Sequence, residues 1–307
     1  MNIILDTDVG SDCDDIMALS YLLLAKRKLG VNILAITHSQ NTPLGIPVIK
    51  KLFDEQNEEL PPVGSMVGGP SCKDMYCEKT VGILKIKCPK IIYPPAVKVL
   101  RKALADTDKC VICAIGPLTN IAALLDSAPD EISALDGSEL VRSKCEKIVL
   151  MAGAFTENRE KGRHIEWNVY CDVPAAKKVI ENSPVPVVTL PYEAGENMIT
   201  GIPITEKYNN ENCLSTVFSV FCGKGGRHSW DPATLVYAIE GTKDFFSVTG
   251  PGKGTVDSEG RTFFTPNENG NFSYLEINRY PGETDADAKK RAAKYIDDCS
   301  LELYAGI

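Results

Sequence analysis

The chain alternates between short apolar runs and longer segments in which apolar residues recur every three or four positions. Residues 2–6 and 31–37 are apolar runs of the kind found in buried parallel strands, and residues 14–29 between them have helical spacing. Further strand-like runs lie at 110–115, 146–151 and 185–190, and further helical segments at 93–106, 117–127, 173–182 and 230–240. This alternation predicts a Rossmann-like α/β fold with a mostly parallel central sheet flanked by helices.

The pattern changes after about residue 243. Glycine, asparagine and threonine separate four short β-like runs at 245–249, 254–257, 262–265 and 272–277. These runs predict a small antiparallel extension of the sheet near the C-terminus, and residues 283–304 predict a closing helix. The chain has neither a low-complexity linker nor an internal repeat, so we expect one domain over residues 1–307.

Composition and charge narrow the choice of partners. The 307 residues are 44% hydrophobic and 24% charged, which is ordinary for a globular protein with a large core. The net charge of -8 and the lack of basic runs with interleaved aromatics argue against nucleic acid as a partner. No apolar run reaches the roughly 20 residues that a membrane span needs, so we expect no membrane partner. A small-molecule ligand fits these properties better.

The cysteines and the first residues bear on location. Met1 leads directly into an apolar run without a basic segment or a small-residue cleavage site. The 11 cysteines lack the spacing of a disulfide framework, so we expect free thiols and a cytoplasmic protein. Cys110 and Cys113 lie on one predicted strand, whose period of two directs their sulfurs to opposite faces. This pair is therefore interpreted as structural.

Five carboxylates fall within ten residues just after the first predicted strand: Asp6, Asp8, Asp12, Asp14 and Asp15. Like charges this close repel one another, and helix capping accounts for only one or two of them. A hard cation accounts for the set better, because Ca²⁺ takes about six to eight oxygen ligands. An EF-hand is excluded, because the spacing lacks the glycine and the final glutamate of that loop.

A second interpretation of the same segment is a phosphotransferase. The apolar run ending at Asp6 is also similar to the nucleophile strand of haloacid-dehalogenase-type enzymes, which use one aspartate as nucleophile and bind Mg²⁺. A later Gly-Asp-x-x-x-Asp pair is not found, and this chemistry does not require Asp12, Asp14 or Asp15. An aspartyl-phosphate on Asp6 would identify such an enzyme.

Polar motifs follow several of the other predicted strands. Ligands of parallel α/β sheets bind at the carboxyl ends of the strands, so these motifs are expected to converge there. They are Asn41, Gly116-Pro-Leu-Thr-Asn120, Glu166-Trp-Asn168 and Trp230-Asp231-Pro232. Each alone is a plausible turn or helix start, with Asp231 as a helix N-cap and Pro232 at the first helical position.

Taken together, these motifs resemble the inosine-uridine-preferring nucleoside hydrolase family. The resemblance covers residues 2–240 and keeps the family's order of motifs. It rests on Asp6-Thr-Asp8-Val-Gly10…Asp14-Asp15-Ile-Met-Ala-Leu, Gly116-Pro-Leu-Thr-Asn120, Met151-Ala-Gly153-Ala, Glu166-Trp-Asn168…Asp172-Val-Pro-Ala-Ala176, and Asp231-Pro232-Ala233. Five such motifs in one order are very unlikely to arise by chance.

The resemblance implies Ca²⁺-dependent hydrolysis of the N-glycosidic bond of ribonucleosides. Asp8 would hold the metal and act as general base on a metal-bound water. The other metal ligands would be Asp15, Asp231 and the backbone carbonyl of Thr119. The ribose hydroxyls would be bound by Asp14, Asn41, Glu166 and Asn168. The family also implies a homodimer or homotetramer.

Two loops depart from the family pattern. The first acidic loop is two residues longer, so Asp12 competes with Asp14 for the ribose-binding role. The loop after the second strand usually ends in Gly-Asn in the family, and here it reads His38-Ser-Gln-Asn41-Thr. Asn41 is the better match to the family asparagine.

The third departure concerns the leaving group. Many family members have a histidine before the aspartate of the last motif, where it protonates a purine base, and this chain has Trp230. Trp230 would stack on the base, or the base would leave unaided, as a cationic pyridinium does; His228, on a predicted loop, is the nearest histidine. The loss of the acid also leaves open a non-catalytic riboside-binding protein.

Overall fold

The computed structural model describes residues 1–70, 73–155 and 164–305, and its central feature is a mostly parallel sheet. The parallel strands run in the spatial order β3-β2-β1-β4-β5-β6. They are β1 (Asn2–Thr7), β2 (Asn32–His38), β3 (Val63–Ser65), β4 (Cys110–Ala114), β5 (Cys145–Met151) and β6 (Val187–Leu190). The predicted Rossmann-like sheet is confirmed, and its strand order reverses at β1, where ligands of such sheets bind.

Helices cover both faces of this sheet. They are α1 (Asp14–Leu29), α2 (Gly45–Glu55), α3 (Cys77–Leu84), α4 (Ala96–Ala105), α5 (Thr119–Leu125), α6 (Gly137–Lys144), α7 (Trp167–Cys171), α8 (Val173–Asn182), α9 (Tyr192–Gly195), α10 (Ile202–Tyr208), α11 (Cys213–Cys222), α12 (Asp231–Glu240) and α13 (Asp285–Ala305). One buried core contains residues of α1, α12 and α13, and the other contains residues of α4, α5, α6 and α8. Cys113 lies in the first core and Cys110 in the second, as the period of a strand predicts.

The C-terminal part of the chain extends the sheet beyond β6. The added strands are β9 (Phe246–Val248), β10 (Gly252–Val256), β11 (Thr262–Pro266) and β12 (Phe272–Ile277). β12 is parallel to β6, whereas β9 and β10 are antiparallel to β12 and β11 is antiparallel to β10. The predicted antiparallel extension is therefore confirmed. Among the described residues, no helix is both long and apolar enough to cross a membrane.

A separate two-stranded ribbon was not predicted. It consists of β7 (Ile199–Thr200) and β8 (Arg227–His228), which pair antiparallel. Strands of two residues are too short to show a hydrophobic period, so the sequence gives no signal for them. The prediction of a loop at His228 is wrong for this reason. The ribbon bears on the functional site because β8 ends at His228, two residues before Trp230 at the start of α12.

Candidate active site

Three buried carboxylates meet at the carboxyl end of β1. Asp14 and Asp15 begin α1, and Asp231 begins α12; each offers an oxygen, and these atoms lie within 4.8 Å of one another. Trp230 is the N-cap of α12, without a side-chain capping bond, so the prediction of Asp231 as the N-cap is wrong. The Asp231 carboxylate faces Asp14 and Asp15 instead of capping its own helix.

Hydrogen bonds fix the orientation of these carboxylates. Asp14 Oδ2 accepts the backbone N–H groups of Trp230 (3.0 Å) and Asp231 (3.1 Å), which ties the start of α1 to the start of α12. Asp15 Oδ1 accepts the hydroxyl of Thr7 and the backbone N–H of Asp8, the latter at 3.1 Å. The other oxygen, Asp15 Oδ2, is buried without a hydrogen-bond partner among the described residues.

The protein environment opposes the charge of this cluster. Burial raises the pKa of Asp15 to about 7, and burial together with neighbouring carboxylates raises the pKa of Asp14 and of Asp231 well above the usual range. A buried anion with an unpartnered oxygen is costly unless a cation compensates it. Clustered hard oxygen donors suit a hard divalent cation. The residues present therefore fit a divalent metal site.

Asp8 lies beside this cluster and lines the cavity above it. Its side chain is buried, and its charge contributes to the raised pKa of Asp231. Space around it is tight, because a Cβ added at Gly116 would lie 2.9 Å from Asp8 Oδ1 and 2.6 Å from Ser39 Oγ. The Gly116 motif thus shapes the position of Asp8.

Thr119 is placed differently from the carboxylates. It begins α5, and its hydroxyl donates to Asp172 Oδ2 at 2.6 Å. Thr119 is not among the described residues that line the cavity. The Thr119 side chain therefore links the start of α5 to the start of α8. A metal contact through the backbone carbonyl of Thr119 stays a prediction.

The structure separates the two candidates in the long acidic loop. Asp14 joins the buried cluster, whereas Asp12 is half-buried and forms an ion pair with Arg227. Arg227 Nε lies 3.0 Å from both carboxylate oxygens of Asp12. Both aspartates line the cavity, so contact with the sugar stays a prediction for each.

Glu166 and Asn168 are further buried residues that line the cavity. Glu166 accepts the backbone N–H groups of Asn168 (2.8 Å), Gly153 (3.1 Å) and Val169 (3.1 Å), and burial nevertheless raises its pKa to about 7. Asn168 Nδ2 donates to the backbone carbonyls of Ile115 and Met151, both at 3.0 Å. Asn168 Oδ1 accepts no hydrogen bond from the described residues, which leaves an acceptor for a ligand hydroxyl.

Asn41 is not brought to this site. It is exposed and is not among the described residues that line the cavity. The neighbouring Gln40 is buried instead, and its amide has no hydrogen-bond partner among the described residues. Since Asn41 is exposed and lies outside the cavity lining, the geometry gives no support to Asn41 as a ribose ligand.

Aromatic rings form the side of the cavity next to Asp231. Trp230 and Tyr192 are stacked with ring centroids 5.5 Å apart, and the indole N–H of Trp230 donates to the backbone carbonyl of Tyr192 at 2.7 Å. His228 lies 5.0 Å from Trp230, and its Nδ1 accepts the backbone N–H of Asn197. His228 is not among the described residues that line the cavity.

The cavity measures about 900 Å³ and contains residues that the sequence did not reveal. They include His164, Trp167, Tyr170, Tyr192, Phe221 and Arg227. His164 packs against Tyr192 with ring centroids 3.9 Å apart, and burial lowers its pKa. Trp167 lies between Glu166 and Asn168 in one of the family motifs, so its place in the cavity could have been predicted from the sequence. Arg227 and Tyr192 lie outside those motifs and could not.

The site and fold define a nucleoside hydrolase-like α/β protein, and comparison with known proteins agrees. The family model described as inosine-uridine preferring nucleoside hydrolase matches residues 3–298. The chain therefore belongs to this family, whose members are N-glycosidases.

Two curated relatives match less of the chain. Pyrimidine-specific ribonucleoside hydrolase RihA of Escherichia coli is 27% identical over 226 residues, which are 70% of this chain and 68% of that enzyme. An uncharacterized protein of Schizosaccharomyces pombe is 38% identical over 89 residues, which are 29% of this chain and 25% of that protein.

Solved structures share the fold. The inosine-uridine preferring nucleoside hydrolase of Bacillus anthracis has a TM-score of 0.70 and 16% identity, covering 100% of this chain and 99% of that one. The purine-preferring ribonucleoside hydrolase of Gardnerella vaginalis has a TM-score of 0.68 and 20% identity, covering 99% of each chain. At these identities the similarity shows the fold alone.

Stability of the cation-free protein should fall as the pH rises. Asp15 and Glu166 have a pKa of about 7 in the folded state and Asp6 of about 6, all above their ordinary values. The unfolded chain ionises these groups near pH 4 and the folded protein only near pH 6 to 7, so the stability present below about pH 4 is lost as the pH rises to about 7. We expect the Tm of EDTA-treated protein to fall by on the order of a few degrees over this range, as measured by scanning fluorimetry.

Ca²⁺ should suppress much of this fall, because a bound cation compensates the ionised cluster. The Tm of the Asp15→Asn variant should depend less on pH, and added Ca²⁺ should raise it less. A Tm at about pH 8 that is the same with and without Ca²⁺ in the unmodified protein would contradict the assignment of the cluster.

The Gly116→Ala substitution should disturb Asp8 directly. Its Cβ would approach Asp8 and Ser39 far more closely than real Cβ atoms approach their neighbours. We expect a loss of at least about tenfold in kcat/KM on a hydrolysed riboside, because small displacements of reacting groups are costly. Gly82→Ala is the matched control, since a Cβ there meets nothing within 4 Å. Equal activity of the two variants would refute the role given to Gly116.

Proposed function

We propose that this protein hydrolyses the N-glycosidic bond of ribonucleosides with the help of a divalent cation, which we propose to be Ca²⁺. The observation that carries the proposal is the buried cluster of Asp14, Asp15 and Asp231 beneath the cavity that Asp8 lines. Family membership supports the same reaction. Asp15, Asp231 and Asp8 are the ligands we propose for the cation, and Asp14 is a further carboxylate beside it.

Each side chain has a role that follows from its position. Cleavage passes through a sugar with oxocarbenium character, whose positive charge the clustered carboxylates stabilise. A bound divalent cation would lower the pKa of a water molecule and hold sugar hydroxyls. Asp8, which faces the cavity, accepts the proton of the attacking water. Holding the sugar beside that water supplies effective molarity.

Glu166 and Asn168 are the residues we propose to bind the remaining sugar hydroxyls. They are buried, they line the cavity, and their backbone contacts fix their orientation. Asn168 Oδ1 would accept a hydroxyl. Glu166, as a carboxylate, would accept another, and its raised pKa means that this contact is strongest above about pH 7.

The base is proposed to stack on Trp230. The indole lines the cavity, packs against Tyr192 and has its own N–H engaged, so any contact with a base is through the ring and supplies no proton. RihA is pyrimidine-specific and the Gardnerella enzyme is purine-preferring, so relatives differ in base preference. The Asp12–Arg227 pair places a guanidinium in the cavity, which disfavours a cationic pyridinium base.

Two rival functions have less support. Asp6 is not among the described residues that line the cavity, and its Oδ1 accepts hydrogen bonds from Thr37 and Asn120, so it is poorly placed as a phosphotransferase nucleophile. A non-catalytic riboside-binding protein would keep the cluster but not need Asp8. We further propose one domain over residues 1–307, a cytoplasmic location and a homodimer or homotetramer.

Replacing Asp8 by asparagine tests its role as the general base. We expect Asp8→Asn to lower kcat about 10² to 10⁴-fold, because the general base is lost while the side chain keeps its size. Steady-state hydrolysis of uridine or inosine measures this. Asp106→Asn is the control, since Asp106 is an exposed residue at the end of α4 paired with Lys102. An unchanged kcat in Asp8→Asn would contradict the role of Asp8.

Turnover of inosine, uridine and nicotinamide riboside should be compared side by side. We expect the better of the two neutral-base substrates to exceed nicotinamide riboside in kcat/KM, because the guanidinium of Arg227 repels a cationic base. Release of free base, followed by chromatography, is the measurement. Faster turnover of nicotinamide riboside would instead support a base that leaves unaided, and binding of all three without base release would support the non-catalytic rival.

A further inference from the structure

Arg227 places a positive charge in the cavity close to Trp230. Its guanidinium carbon lies 5.2 Å from the ring centroid of Trp230 and 5.4 Å from that of Phe221, so two aromatic rings contact the cation. Arg227, Trp230 and Phe221 all line the same cavity. A base bound in this cavity beside Trp230 would therefore be within reach of the guanidinium.

Asp12 fixes the orientation of this guanidinium without using all of its donors. Nε and Nη2 donate to the Asp12 carboxylate, whereas Nη1 donates to none of the described residues. Burial opposes the charged form, but the hydrogen bonds and charge of Asp12 outweigh it and raise the pKa of Arg227. Arg227 is therefore a permanent cation with unused N–H groups, and it cannot act as an acid.

The departing base needs such a partner because the nearby groups are poor acids. Trp230 has no acidic proton, and its N–H is bonded to a carbonyl. Burial lowers the pKa of both His228 and His164, which favours their neutral forms. When the glycosidic bond breaks, its electron pair stays on the base nitrogen, and negative charge spreads over the ring. Without an acid, that charge must be stabilised by fixed donors.

We propose that Arg227 is a catalytic residue of this reaction, whose unused N–H groups donate to the base as it departs as an anion. The inference rests on the proposed hydrolase function and extends it to the leaving group. Asp12 is the positioning residue, because its carboxylate holds the guanidinium over the rings of Trp230 and Phe221. The extra residues of the acidic loop supply this aspartate.

The step balances without a proton from Arg227. The bond between the anomeric carbon and the base nitrogen breaks, and its electron pair goes to the base. The water oxygen bonds to the anomeric carbon, and the water proton goes to Asp8. The base anion, held by Arg227, then takes a proton from solvent or from Asp8. The favoured substrates are thus neutral bases with acceptor atoms, which leave as anions.

The test compares two leaving groups in the metal-loaded enzyme. Uridine, or inosine if that is the better substrate, releases a poorly stabilised base anion, whereas p-nitrophenyl riboside releases a phenolate that needs no donor. We expect Arg227→Gln to lower kcat/KM about 10² to 10³-fold on the nucleoside, as for the loss of a fixed anion-stabilising donor. On p-nitrophenyl riboside we expect less than about a fivefold change.

Matched variants separate this role from a structural one. Arg227→Lys keeps a cation and should recover part of the nucleoside activity, and Asp12→Asn should show a smaller loss with the same preference for p-nitrophenyl riboside. Arg142→Gln is the control, since Arg142 is exposed on α6. Thermal unfolding of each variant reports whether it folds.

The outcomes distinguish the two proposals. Equal losses on both substrates in a folded Arg227→Gln variant, or no loss on the nucleoside, would overturn the role of Arg227 and leave the hydrolase function intact. If the unmodified, metal-loaded protein releases neither a base nor p-nitrophenol, the proposed function itself fails.

Discussion

Mutual repulsion among Asp14, Asp15 and Asp231 is the constraint on which the rest of the site depends. One oxygen of each lies within 4.8 Å of the others, and the three side chains are buried, so their charges are poorly screened. Backbone N–H groups at the start of α12 compensate Asp14 in part, but Asp15 Oδ2 has no partner among the described residues. Such a cluster is costly to keep ionised unless a cation compensates it. A bound cation would offset the cost in stability that these carboxylates impose.

The fold brings these residues together from distant parts of the chain. β1 lies where the order of the parallel strands reverses, so the loop after it opens into the crevice between neighbouring connections. α12 packs against α1, and its first turn delivers Asp231 to the same point. Glu166 and Asn168 come from the segment after β5, two strands away, and line the same cavity. Tyr192, Trp230 and Arg227 line the cavity beside Asp231.

Much of this arrangement was predictable from the sequence, for identifiable reasons. The buried strands are continuous apolar runs, and α1 and α8 begin and end at the predicted residues because their ends carry clear signals: acidic residues and a C-cap Gly30 for α1, and Asp172 with a proline in the first turn for α8. Asp8, Asp14, Asp231, Glu166 and Asn168 were found because they follow strands or start helices within motifs. The sequence does not tell that Gln40 is buried and Asn41 exposed, because an exposed turn and a buried one look alike in a polar segment. Arg227 was missed because a two-residue strand has no pattern and its partner, Asp12, is more than two hundred positions away.

The central claim is tested most directly by counting metal ions. Elemental analysis of purified protein, dialysed against metal-free buffer, should find close to one divalent cation per chain, with calcium retained. The folded Asp231→Asn variant, prepared in the same way, should retain far less. A metal-free wild-type protein that neither binds added Ca²⁺ nor requires it for base release would contradict the account.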